Sequence, residues 1–469
     1  MFRAVKAGFF LIFLSLAACS QAALGAVQGV PEPKRDQLLN RLNVLVWQRA
    51  GDPDVLLKLR IHSGAAFDLA GRAGTMALLG DALFPDQTTR DYFTEELGGR
   101  VEVTTDHDAI NITLTGHARE FERIVDLLRA AIVNPVLTAD AVSKLREARL
   151  KLVSEASIAP GAMADRAIAA RLYGDFPYGR PAAGTPETLS HVERADLLFA
   201  RDRFLSPNNS TLVVIGGVDE RRAMRALRQL LGMWRKSDRI VPATFRQPDA
   251  PDARTLILDL PGAETAEIRL AARTVARSDR DYAAATVLAL LARDRWQAAL
   301  PELNKSAFFV RQEARVLPGM FVMGASVSPG AAARALASAR SVLRALATSP
   351  PVATADFERA RSEAVAVLNK QTEEPETLAT LWLDAETYKL APVSDQLRAL
   401  NQLTPSDVQR VAAKLFRDAP LAAVAVASAA ELAADLGRDG KIEVTSAAAQ
   451  QQQPQPPAAP VPTPAKTPL

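Results

Sequence analysis

Few residues in this chain are of the types that do chemistry, and their spacing is informative. Cys19 is the only cysteine, and it follows Leu16-Ala17-Ala18. Arg3 and Lys6 precede it, and Gly8 to Leu16 forms an apolar run too short for a stable bilayer span. Small residues that fit a signal peptidase, then a cysteine, form the pattern for thiol acylation of Cys19. An ordinary cleaved signal, cut after Ala22 or Ala26, is the alternative. The four histidines, His62, His107, His117 and His191, are scattered, and no two stand at i, i+4. The sequence contains no G-x-S-x-G and no phosphate loop, and Cys19 leaves no other thiol for a nucleophile.

The exported reading places the protein in the periplasm, lipid-anchored to the cell envelope. Ser20 after Cys19 suits retention in the outer membrane. A single cysteine cannot form an internal disulfide, so packing must hold the cores. The chain has 469 residues, 48% of them hydrophobic and 23% charged, with a formal net charge of +3. That balance fits a soluble globular protein of two or three domains. With aromatics at 6% and cations interspersed with acids, no basic, aromatic-studded face for nucleic acid is present.

Any functional side chain must be positioned by two segments of similar plan. Leu128-Arg129-Ala130, Pro135-Val136 and Thr138-Ala139-Asp140 recur as Leu343-Arg344-Ala345, Pro350-Pro351-Val352 and Thr354-Ala355-Asp356. The offset is 215 residues from Leu128 to Leu343 and 216 from Thr138 to Thr354. Val192 and Asp196 with Arg203-Phe204 recur as Leu403 and Asp407 with Lys414-Leu415, each before an apolar strand (Thr211 to Ile215; Leu421 to Val426). Alternation predicts strands over Val55 to His62, Val101 to Thr105 and Ile110 to Thr115, the last two turning at Asp106 to Asp108. Helices are predicted over Ala73 to Phe84, Arg90 to Leu97 (capped by Thr88-Thr89, ended by Gly98-Gly99), His117 to Ala131 and Thr138 to Ser157.

The fold class these patterns predict is α+β: two homologous domains, each a mainly antiparallel sheet with helices packed on one face. The expected organisation is a signal peptide at 1–19, an N-terminal spacer at 20–40, and a first domain at 41–236. A Pro-interrupted linker at 237–252, a second domain at 253–435 and a disordered Pro/Gln/Ala-rich tail at 446–469 follow.

Several phrases resemble the insulinase/pitrilysin family of zinc metallopeptidases. They are Gly71-Arg72-Ala73-Gly74 before Leu78-Leu79 and Leu83-Phe84, then Leu97-Gly98-Gly99. Leu172-Tyr173-Gly174-Asp175-Phe176-Pro177-Tyr178-Gly179-Arg180-Pro181 and Gly184-Thr185-Pro186-Glu187 follow, and Pro207-Asn208-Asn209 with Val218-Asp219 closes the set. The resemblance spans most of residues 40 to 430 and implies two homologous domains that enclose a chamber with a partner.

The resemblance also implies an inverted zinc motif, H-x-x-E-H, with a further Glu as third ligand. The matching positions here are Ala77, Gly80 and Asp81, with Glu155 as a remnant of the third ligand or an exposed charge beside Lys151. Alanine has no ligand atom and glycine no general base, so neither a catalytic nor a metal-binding residue is expected. Phe176 stands where many members carry His. The family's substrate-holding Arg and Tyr correspond to Arg295 and Phe308, the latter without a hydroxyl, or else to a solvated charge and a core ring.

The expected function is a non-catalytic subunit supplying half of a peptide chamber to a zinc-bearing homologue, with zinc only in that partner. The alternatives are a stand-alone peptide- or protein-binding scaffold lipoprotein and an active zinc peptidase with an atypical site.

Overall fold

A computed structural model of the chain describes residues 29–238, 245–348 and 352–447. The signal sequence, Cys19, residues 239–244 of the linker and residues 448–469 of the tail lie outside the described residues.

The two segments fold alike. The first half contains β1 (Lys34–Gln37), β2 (Asn43–Gln48), β3 (Asp54–Ile61), β4 (Val101–Thr105), β5 (Ile110–His117) and β6 (Ser210–Gly216), in the order β1-β2-β6-β3-β5-β4. The second contains β7 (Thr255–Asp259), β8 (Ala266–Arg273), β9 (Ala307–Gln312), β10 (Met320–Val327), β11 (Ala422–Ala427) and β12 (Ile442–Ser446), in the order β12-β7-β11-β8-β10-β9. Five strands of each sheet correspond in order and direction. β2 and β6 pair in parallel, as do β7 and β11, and the rest of each set pairs antiparallel. The sixth strand differs: β1 comes from the N-terminal side and is antiparallel, whereas β12 comes from the C-terminal side and is parallel.

These sixth strands shift the expected boundaries. β1 lies inside the segment read as spacer, and β12 runs past 435 into the start of the segment read as tail. The linker is not free either, since Phe245 packs on Phe67 and Phe176. Three local expectations also change. The helix begun at Ala73 is only Thr75–Asp81, because Gly74 has a φ of 100° that starts it late. Asp86, whose carboxylate accepts from Thr89 N at 2.7 Å, caps the helix Gln87–Glu95 in place of Thr88-Thr89. β5 extends to His117, so the following helix starts at Phe121.

As expected, each sheet carries its own half's helices on one face. Val44, Val46, Leu57, Leu59, Ile112, Leu212 and Val214 meet them in the first half; Ile268, Leu270, Phe321, Met323 and Ala425 do so in the second. The opposite faces are not left to solvent. Pro160–Tyr173, a helix of the first half, lays Met163, Ala164, Ala167, Ile168 and Leu172 on Leu256, Leu258, Val322, Val424 and Val426 of the second sheet. Its repeat, Pro375–Tyr388 in the second half, lays Leu378, Leu381 and Trp382 on Leu45, Leu56, Val213 and Ile215 of the first. The two halves thus exchange helices. Sheets buried on both faces need apolar residues at consecutive positions, which is why β6 and β11 are buried throughout.

Polar pairs fix the exchanged helices in register. Arg60 Nη1 donates to Asp384 Oδ1 at 2.6 Å and Lys58 Nζ to Thr380 Oγ1 at 2.8 Å. In the second sheet Arg269 Nε donates to Asp165 Oδ1 at 2.6 Å, and Arg273 Nη2 to the Leu172 carbonyl at 2.9 Å. Trp382, 1% exposed, meets Trp47 edge-on with centroids 6.0 Å apart. Trp382→Ala is expected to cost about 3–5 kcal/mol, as for other large core truncations. Urea unfolding followed by far-UV circular dichroism measures it, and a cost below about 1 kcal/mol would show that this helix is not needed to hold the first sheet.

Candidate functional site

The helix Thr75–Asp81 is held from both ends of the first half. Asp68, buried, accepts from Gly74 N at 2.7 Å and Met76 N at 2.9 Å, so its carboxylate serves the helix N-terminus. Burial nonetheless pushes the Asp68 carboxyl up to about 7. Gly74 packs against Gly184, whose φ is 81°; a Cβ at Gly74 would lie 2.6 Å from Leu189 Cδ2, and one at Gly184 2.5 Å from the Ala73 carbonyl. The phrases around Gly71–Gly74 and Gly184–Glu187, read separately in the sequence, are therefore in contact.

The three residues read as ligand positions are packed or paired within the first half. Ala77 is 2% exposed, and Gly80 is buried against β4: a Cβ there would lie 2.7 Å from Thr105 Oγ1, which would have to shift. Both oxygens of Asp81 are taken by Arg149 of the helix Ala139–Ser157, Nε to Oδ2 at 2.6 Å and Nη2 to Oδ1 at 2.5 Å. Glu155 lies on that same helix, six residues beyond Arg149 and thus about 120° around its axis, and is exposed. The structure does not bring Glu155 to Asp81. Among the described residues, no three His, Cys, Asp or Glu side chains are grouped to hold a metal ion. A carboxylate already bound at both oxygens by a guanidinium, beside an alanine and a glycine, does not fit a zinc ion.

Phe176 is buried in an aromatic cluster with Tyr173, Tyr178 and Phe245. Phe308 packs edge-on against Trp296 at 4.7 Å between centroids, a core contact on β9. Arg295, half-buried on the helix Tyr282–Ala298, has no hydrogen-bonded or ion-paired side-chain partner among the described residues, whereas its neighbour Arg293 holds Asp294 and Glu363.

The histidines remain apart. His117 meets Asp54 at 3.0 Å and His191 is exposed. His62 joins the halves, its Nε2 3.0 Å from Thr211 Oγ1 and its Nδ1 3.1 Å from Thr387 Oγ1. His107 Nε2 lies 2.8 Å from the Arg180 carbonyl. Sequence reading missed a polar junction next to it. Asp108, buried, accepts from Tyr178 Oη at 2.8 Å and Val316 N at 2.8 Å, and Leu317 N donates to Tyr178 Oη at 3.1 Å. Burial raises the carboxyl of Asp108 above its usual range. Both Asp108 and Tyr178 stood in phrases read from sequence, one as a turn and one as family wording, but their meeting with the second half had no local signal.

Two like-built sheets with exchanged helices, and a motif helix lacking its ligands, define one half of a peptidase-type clamshell. The model described as Insulinase (Peptidase family M16) matches residues 44–186, and that described as Peptidase M16 inactive domain matches residues 191–364. The chain belongs to the insulinase family. An uncharacterized zinc protease of Rickettsia felis is 22% identical over 217 residues, which are 45% of this chain and 52% of that protein. The chain thus spans about half the length of that curated relative. A protease from Helicobacter pylori has the same fold, with a TM-score of 0.78 and 17% identity over 85% of this chain and 100% of that one. The peptidase M16 inactive domain from Pseudomonas fluorescens gives 0.74 and 18% over 85% and 98%.

Burial first, then the nearby cations Arg60 and Lys389, lowers the His62 imidazole to about 3; burial and Arg315 lower that of His107 to about 4. In the unfolded chain both protonate near 6.5. Between these values the folded protein binds fewer protons, so acidification from about pH 6.5 to 4 favours unfolding, by about 1.4 kcal/mol per pH unit for each imidazole. The raised carboxyls of Asp68 and Asp108 act in the opposite sense over that window. The histidine contribution is therefore isolated as the stability difference between the wild type and a His62→Gln/His107→Gln variant. That difference is expected to shrink as pH falls, and a pH-independent difference would refute the assignment.

Proposed function

We propose that this chain is a non-catalytic subunit of a periplasmic insulinase-type metallopeptidase complex, supplying half of the substrate chamber to a zinc-bearing homologue. The observation that carries this reading is the Asp81–Arg149 pair beside Ala77 and Gly80. The positions that would hold zinc and activate water are committed to structure, while the two-sheet scaffold around them is complete. Its own chemistry is therefore to bind and orient peptide, with zinc in the partner. The edge strand β4 lies beside the motif helix with one side not paired to any described strand, a surface on which extended peptide can add main-chain hydrogen bonds. The acylated Cys19 would hold the assembly at the envelope.

A second reading, a stand-alone peptide- or protein-binding lipoprotein, is favoured by the guanidinium of Arg295, which has no side-chain partner among the described residues. Pull-down of the tagged full chain from native membranes, with metal quantification of the eluate, separates the two. The heteromeric reading expects a zinc-bearing insulinase-type homologue in the eluate, with the purified chain alone below stoichiometric zinc and unable to cleave extended peptides. Elution without such a homologue would favour the stand-alone reading, for which Arg295→Ala should weaken peptide binding. Stoichiometric zinc with chelator-sensitive cleavage by the pure chain would overturn both.

A further inference from the structure

We propose that a cavity between the two halves, lined by Arg166, Arg180, Arg311 and Arg315, is a binding site for a peptide carboxylate. The cavity holds about 240 Å³, the room of about eight waters, between the Pro160–Tyr173 helix, the turn around Tyr178 and the end of β9. Its lining carries four guanidinium groups against two carboxylates, Asp165 and Glu313. Those two acids are already engaged. Asp165 holds Arg269 at 2.6 Å and Arg311 at 3.4 Å, and Glu313 holds Arg315 at 3.1 Å. Asp108, close by, is occupied by Tyr178 and Val316 N.

Arg166 and Arg180 are left with neutral partners. Arg166 Nη2 donates to the Ser157 carbonyl at 3.0 Å, and Arg180 Nη1 to the Asp68 carbonyl at 3.2 Å. Arg180 Nε is buried with no hydrogen-bond partner among the described residues. The Asp68 carboxylate is turned to Gly74 and Met76, and Asp175 is exposed. A buried donor left unpaired is costly, and so is a half-buried cation with no carboxylate bonded to it. Burial lowers the pKa of both Arg166 and Arg180, and at Arg180 the nearby Asp68 and Asp175 oppose it only in part. A carboxylate in the cavity would supply acceptors for several N–H groups in the planar geometry that guanidinium groups match. Peptide is the chemistry that fits the surroundings. Arg311 belongs to β9, an edge strand of the second sheet with no described strand on its other side, so a bound chain has main-chain partners along the strand that supplies one of the arginines. Neutral His107 and the rings of Tyr173 and Tyr178 leave the remaining wall apolar enough to strengthen the charge pairing.

The inference rests on the proposed peptide-handling role only for the nature of the ligand; it needs no partner chain. Binding is measured on the isolated chain and partnership by pull-down, so either can fail alone. Calorimetric titration would use acetylated penta-alanine as free acid, the same peptide amidated, an amidated acetyl-Ala-Ala-Asp-Ala-Ala, and inorganic phosphate. The free acid or the Asp peptide is expected to bind and the neutral amide not; which acid binds tells a C-terminal carboxylate from a side chain. Arg166→Gln and Arg180→Gln are each expected to weaken binding about tenfold or more, the effect of losing one charge-assisted donor. Because Arg180 also holds the Asp68 carbonyl, unfolding curves check both variants, and Arg166→Gln, with one backbone contact to lose, keeps the test open if Arg180→Gln misfolds. Equal binding of acid and amide, phosphate binding more tightly than any carboxylate, no binding at millimolar peptide, or unchanged affinity in a folded Arg166→Gln variant would overturn the site.

Discussion

The structure depends on a helix exchange. Neither sheet is covered by its own half, because each spends its helices on one face and receives for the other a single helix from the opposite half. The uncovered faces carry Leu45, Leu56, Val213 and Ile215 in one sheet and Leu256, Leu258, Val322 and Val424 in the other, too apolar to be left in water. The halves are thus obliged to fold against each other. The charged groups at these contacts, Arg60 to Asp384 and Arg269 to Asp165, select the register of contacts whose strength comes from apolar burial.

That obligation explains how the scaffold can persist without a metal site. The motif helix is only seven residues long and is pinned by Asp68 at its start and by Arg149 at its end. Zinc ligands on such a helix would have to be held for the metal. With Ala77 and Gly80 in their places, the helix packs close to β4, and the remaining carboxylate becomes one member of an ion pair. Asp81 is 31% exposed and Arg149 18%, a partly screened pair that contributes modestly but ties together the two helices that would otherwise flank a metal.

Much of the first half was legible because its strands are half-polar or its helices capped by local signals. β3, β4 and β5 sit within a residue or two of their predicted spans. The duplication, read from Thr138 and Thr354 with their neighbours, reappears as matching strand order and as two 14-residue helices, each with a proline at its first position and a tyrosine at its last. What sequence could not convey was which half a helix serves. The helix Pro160–Tyr173 has little amphipathic contrast in sequence, and nothing in Met163 or Ile168 says that the surface they meet belongs to the other repeat. β1, with the sequence Lys34-Arg35-Asp36-Gln37 exposed throughout, has no apolar pattern to announce a strand; it exists because β2 offers an edge.

The same reasoning bears on where function resides in such a duplicated fold. The residues read as the metal position, Ala77, Gly80 and Asp81, lie within one half and on one short helix. The junction instead joins Asp108, Tyr178, Arg166 and Arg180 of the first half to Arg311, Arg315 and the backbone at Val316 and Leu317 of the second, more than a hundred residues on. Substitutions at Ala77, Gly80 and Asp81 leave that junction untouched, because no side chain of the motif helix takes part in it. The positions read as metal ligands and the charged cavity are therefore built from separate residues. Arg180 is where the two regions touch: its Nη1 holds the Asp68 carbonyl, while its buried Nε has no hydrogen-bond partner among the described residues and is left as a donor that a ligand in the cavity can pair.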